Sequence, residues 1–121
     1  GLHSVRLLTI MPWAVDTPFW ANAATHTGRE ARGPWLDGGR EVADAIVWAA
    51  VHAPSGAFPV GPKAEAAVTG GQFAPRLSRR IAGDVIHRLQ MEAAPPAPDR
   101  PGNLFAPSPA APTVEGGFRG R

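Results

Sequence analysis

Few side chains in this sequence can do chemistry, and their spacing narrows the choice further. Cysteine and tyrosine are absent, and Lys63 is the sole lysine. Thiolate nucleophiles, cysteine metal sites and disulfides are therefore excluded, as is acid catalysis by a tyrosine within these residues. His3, His26, His52 and His87 stand singly, none within three or four residues of another histidine. That is the spacing which puts two ligands on one helix face, so no metal site is expected. Gly-x-Ser-x-Gly, a paired-histidine motif and a phosphate loop are all missing, which removes support for hydrolase and kinase chemistry. What remains is a turn, Pro12-Trp13-Ala14-Val15-Asp16-Thr17-Pro18, followed by Phe19 and Trp20. Its chemistry is that of binding: a hydroxyl and unpaired backbone groups at the end of a strand can hydrogen-bond a polar ligand. Thr17 also reads as the cap of a short helix, since Thr before Pro is a common helix entry. Asp16 reads as a solvent-facing turn residue. Phe19, Trp20 and Trp35 either line an apolar substrate pocket or pack against a sheet.

The elements that must position this turn follow from the pattern around it. Residues 5–12 are rich in Val, Leu, Ile and Thr, which suits a strand buried on both faces, and Pro12 stops the ladder because it has no N–H to donate. Residues 16–38 mix aromatics, glycines and charges without sustained periodicity and read as a long loop, or lid, with a short helix. Loops of that length in compact domains are usually functional. Residues 40–53 are the clearest helix, with Val42, Ala45, Ile46, Ala49, Ala50 and Ala53 at three- and four-residue steps. Asp37 is the expected cap and Pro54-Ser55-Gly56 the stop. Ala57 to Pro62 is a short apolar segment in which Pro59 argues for an edge strand. Lys63–Thr69 is weakly helical before Gly70-Gly71, and Pro75–Glu92 spaces Leu77, Ile81, Val85 and Leu89 four apart. Trp48 is expected at an interface or under the tail.

Strand, lid, helix, strand, helix and tail in that order read as the C-terminal end of an open α/β sheet whose first part is missing. Residues 1–92 are expected to form that portion. Residues 93–121, where half of the fourteen prolines fall together with four glycines, are expected to be a disordered tail.

A net charge of +2 makes a weak case for nucleic acid. Arg76, Arg79, Arg80 and Arg88 form the one basic cluster, with no interleaved aromatics to stack on bases, and read as a solvated helix face. The longest apolar stretch, Ala45 to Val51, is too short to span a bilayer, so a cytoplasmic protein with no membrane span and no nucleic-acid partner is expected.

With Pro12-Trp13-Ala14-Val15-Asp16-Thr17 in view, the chain resembles the C-terminal third of a short-chain dehydrogenase/reductase, an NAD(P)-dependent oxidoreductase with a doubly wound Rossmann fold. The family's sixth strand ends in Pro-Gly-x-Val/Ile-x-Thr, and Trp13 departs from its glycine. Glu41–Val47 is similar to the helix after the family's lid, Ala57–Gly61 to its seventh strand, and Arg88-Leu89-Gln90 with Gly102-Asn103-Leu104-Phe105 to one subgroup's tail. The resemblance implies that Pro12 and the Val15 backbone sit by the nicotinamide of NAD or NADP, with the Thr17 hydroxyl on its carboxamide or pyrophosphate. Phe19 and Trp20 then belong to the lid over a small-molecule carbonyl or alcohol substrate, and a helix serves a subunit interface in a homo-oligomer. The family's glycine-rich phosphate turn and its Tyr-x-x-x-Lys unit have no counterpart here, so no catalytic residue is assigned. The expectation is a segment that is not competent alone and needs a missing N-terminal Rossmann half. The alternative is a stand-alone interaction module whose Pro95-Pro96-Ala97-Pro98 stretch binds a partner in extended form. A third reading docks the Pro75–Glu92 helix on an anionic membrane surface.

Overall fold

The computed structural model describes residues 5–52, 55–107 and 113–119. His3, Pro54 and part of the tail lie outside the described residues. The apolar run forms strand β1 (Leu8–Pro12), a short pair of residues forms β2 (Val15–Asp16), and helix α1 (Phe19–Asn22) opens the lid. Strand β3 (Asp37–Gly38) closes the lid and leads into α2 (Gly39–His52), β4 (Gly56–Val60), α3 (Gly61–Phe73) and α4 (Pro75–His87). A π-helical turn, Arg88–Glu92, follows.

The class is mixed α/β. β1 and β4 pair in parallel, from Leu8 opposite Gly56 to Pro12 opposite Val60, so the chain between them is a crossover carrying the lid and α2. β1 begins at Leu8 rather than at Val5 because its partner begins at Gly56. Pro12 is the last residue of the ladder, which a residue without an N–H tolerates. A second parallel pair joins Val15 to Asp37 and Asp16 to Gly38, which ties the two ends of the lid together. At the exit of β4, Gly61 takes φ +81°, a left-handed conformation that a side chain disfavours, and Pro62 then starts α3.

The packing is carried by small residues. Ala49 of α2 and Ala64 of α3 are buried, so both helices approach the sheet closely. Trp48 stacks on Phe58 of β4, rings 5.2 Å apart and 19° from parallel, and so supports the α2–β4 contact rather than lying under the tail. Much of the apolar surface is uncovered: Leu7 is 80 % exposed, and Ile46, Val47, Val51, Leu77 and Ile81 are also exposed. Parallel strands are ordinarily covered on both faces, and large exposed apolar patches mark surfaces that meet something else. No helix among the described residues is long and apolar enough to cross a membrane.

Three elements differ from their expected form. Helix α3 runs through Gly70-Gly71 to Phe73. Gly70 lies against α4, where a Cβ would stand 3.1 Å from the Ser78 hydroxyl, so close helix packing offsets the glycine's propensity cost. Asp37, expected as a cap, sits in β3 with its carboxylate ion-paired to Lys63, and α2 starts two residues later. The segment from residue 93 was expected to lack order, yet its first part pairs with the lid. Thr25 and Arg100 exchange both backbone hydrogen bonds at 2.9 Å, Glu30 donates to Pro95, Ala97 to Gly28, and Asn103 to Asn22.

Candidate functional site

The turn after β1 lies at the carboxyl end of the parallel pair, where open α/β sheets place ligands. Four hydrogen bonds shape it. The Asp37 N–H donates to Ala14 O at 2.8 Å, so β3 holds the turn from the far end of the lid. The Trp13 indole N–H donates to Pro34 O at 2.8 Å, which ties the large ring to the lid. The Trp20 indole N–H donates to Val15 O at 2.9 Å. The Trp20 N–H donates to Thr17 O at 3.4 Å, closing the first turn of α1.

Pro12 ends β1, Val15 lies in β2, and Thr17 lies between β2 and α1. The Val15 carbonyl carries the indole N–H and retains a second lone pair. Among the described residues the Thr17 hydroxyl makes no side-chain hydrogen bond, which leaves it a donor and an acceptor.

Trp20 and Phe19 part company. The Trp20 ring packs on Gly33 and Leu36: a Cβ on Gly33 would stand 2.4 Å from that ring. Trp20 is an internal brace of the lid. Phe19 meets it edge-on, 5.3 Å between centroids, and is exposed beside an open cleft of about 440 Å³ that Asn22, Pro101 and Leu104 also line.

A second cleft, of about 590 Å³, opens between the lid and the α3–α4 pair and is lined by Trp13, Trp35, Ala66, Ile81 and Val85, with Lys63 at its edge. Its wall includes a strained residue, since Trp35 takes φ +43°, which costs a bulky side chain about 1–3 kcal/mol. Lys63 holds that bend, donating to Trp35 O at 2.6 Å while ion-paired to Asp37. The Gln90 amide of the π-helical turn donates to Arg32 O at 3.1 Å and fixes the lid from the other side. Sequence reasoning missed this cleft, for its walls come from four separate elements.

It also missed Asp16. The expected solvent-facing residue is 1 % exposed, with its carboxylate accepting the Phe118 and Arg119 backbone N–H groups. The Gly116-Gly117-Phe118-Arg119 run was the available signal. Among the described residues no cluster of three or more His, Asp or Glu side chains can hold a metal ion. Comparison of the chain with protein-family models, with curated proteins and with solved structures found no match.

Proposed function

We propose that this chain supplies the nicotinamide-side turn and substrate lid of an NAD(P)-dependent oxidoreductase similar to the short-chain dehydrogenases. It would form the C-terminal part of a Rossmann-like sheet and act on a carbonyl or alcohol substrate. The observation that carries the reading is the β1–lid–α2–β4 crossover, whose first strand ends in a turn that carries the Val15 carbonyl and, two residues on, a Thr17 hydroxyl with no hydrogen bond among the described residues. When bound, the cofactor supplies hydride transfer. The residues of this chain would bind and orient: Thr17 and Val15 would hold the carboxamide, and the lid would exclude water. The apolar cleft beside Trp13 and Trp35 suits an apolar or aromatic substrate.

The Tyr-x-x-x-Lys unit of that family has no counterpart here, since tyrosine is absent and Lys63 is held by Asp37 and Trp35. On this reading that unit, the glycine-rich phosphate turn and the strands that would cover Leu7 and the exposed face of α2 belong to an N-terminal half. The reading carries a cytoplasmic location with it, and the exposed apolar stripes leave room for a homo-oligomer contact. A stand-alone module binding through Pro95–Pro98 is less well supported, because the Pro95 carbonyl and the Ala97 N–H are already taken by the lid.

Saturation-transfer NMR with NADH and NADPH tests the reading on the chain itself. Saturation should reach the nicotinamide ring protons, and Thr17→Val should remove most of it while leaving the folded spectrum in place. Saturation confined to the adenine, or equal transfer in the Thr17→Val chain, would refute it.

A further inference from the structure

Residues 113–119 end in a docked segment that the turn and lid hold from three directions. The Asp16 Oδ1 accepts the Phe118 N–H at 3.0 Å, and Oδ2 accepts the Phe118 and Arg119 N–H groups at 3.1 Å each. Gly116 lies so close to the Thr17 backbone that a Cβ there would stand 2.4 Å from the Thr17 carbonyl oxygen. The Phe118 ring faces Arg32, Gly33 and Leu36, leaving a gap of about 20 Å³, room for one water. The Arg119 guanidinium reaches over Gly38, where a Cβ would meet it at 2.8 Å.

A nearly fully buried carboxylate is costly unless its lone pairs are filled. Among the described residues every hydrogen-bond partner of the Asp16 carboxylate comes from this segment. Its burial and the segment's docking are therefore one event. The contacts are also selective in kind: two successive N–H groups for the anion, no side chain at 116, and an aromatic ring at 118.

We propose that Asp16, Thr17 and the 32–38 stretch of the lid form a peptide seat whose ligand is the chain's own Gly-Gly-Phe-Arg segment at 116–119. Docking straps the start of the lid to its end. Release of the segment exposes Asp16 and uncovers the Thr17 backbone carbonyl. This inference stands on the contacts alone and does not depend on the oxidoreductase reading.

The test uses the full chain. In the unaltered chain the Phe118 and Arg119 amides exchange slowly with solvent, and Gly116→Val, which touches only the segment, accelerates both by at least about tenfold, one 1.4 kcal/mol step. Asp16→Asn, a separate variant, does the same. The Gly116→Val chain then presents an empty seat. It should bind a synthetic peptide of residues 113–121, followed by chemical shifts at Gly38 and Leu36. The same peptide N-methylated at Phe118 and Arg119 should fail to bind. Amide exchange in α2 reports that each variant is folded. Slow exchange at 118 and 119 in both variants, no binding of the peptide, or equal binding of the N-methylated peptide would overturn the proposal.

Discussion

Arg100→Ala is the most informative perturbation of the lid. The Arg100 Nε donates to Ala23 O at 3.2 Å and its Nη2 to Trp20 O at 3.0 Å, so one side chain holds the carbonyls of α1 and of the residue just after it. The backbone of the same residue exchanges two hydrogen bonds with Thr25. Hydrogen bonds from a charged group contribute about 1.5–3 kcal/mol each, and Arg100 is only half-buried, so the pair is worth about 2–3 kcal/mol at the low end of that range. The loss falls on local opening of the lid rather than on the sheet, because the hydrogen bonds of Arg100 go to Trp20, Ala23 and Thr25. A change of about 2 kcal/mol corresponds to about 30-fold faster exchange of amides released by that opening. Those amides are Thr25, Arg100 at its own backbone N–H, and Asn103, which donates to Asn22 O at 3.1 Å. Arg100→Lys keeps the charge, but a single ammonium cannot span both carbonyls, and should recover about half of the free energy. Hydrogen exchange by NMR reads all of this residue by residue. Unchanged exchange at Thr25 and Asn103 would refute the reasoning, and so would equal acceleration at Ala49 in α2, since that would be global unfolding.

The glycines give predictions of opposite sign. Gly71 and Gly83 lie in helices with nothing within 4 Å of an added Cβ, so Gly71→Ala and Gly83→Ala should each stabilise by about 0.5–1 kcal/mol in thermal unfolding. Gly33→Ala drives a methyl into Trp20 and Leu36 and should destabilise by about 1–3 kcal/mol, with a change in tryptophan fluorescence. Lys63→Met removes a half-exposed ion pair and one hydrogen bond, and should cost about 1 kcal/mol, while the parent loses part of that difference in high salt. Trp20→Phe deletes the indole N–H on Val15 O at an expected cost of about 1 kcal/mol beyond the packing loss, and a Trp20→Phe chain as stable as the parent would show that bond contributes nothing.

Periodicity made α2 readable to within a residue at its start, because its alanines and valine recur on one face and Ala49 is in fact the buried member. The β1 strand is legible from its Val, Leu, Ile and Thr content and from Pro12, though none of its residues is buried as expected of a strand covered on both faces, and β4 is legible only in part, since Gly61 and Pro62 open α3 instead of extending it. Continuation of α3 through Gly70-Gly71 was not readable, since the compensating contact is with Ser78 on another helix. The pairing of residues 95–103 with the lid was hidden for a different reason. It is made by backbone groups at Thr25, Gly28 and Glu30, and backbone hydrogen bonds leave no side-chain pattern. At the site, Pro12 is legible as the end of a strand, since it has no N–H to continue the ladder. Asp16 is not, because its partners lie more than a hundred residues along the chain.

The central claim is that this turn is the nicotinamide edge of an enzyme whose other half is encoded with it. Sequencing the transcript upstream of the codon for Gly1 tests that most directly. The account predicts an in-frame stretch of roughly 150–200 residues carrying a strand, a glycine-rich turn opening a helix, and later a Tyr-x-x-x-Lys. A start codon immediately before Gly1, preceded by an in-frame stop, would contradict it.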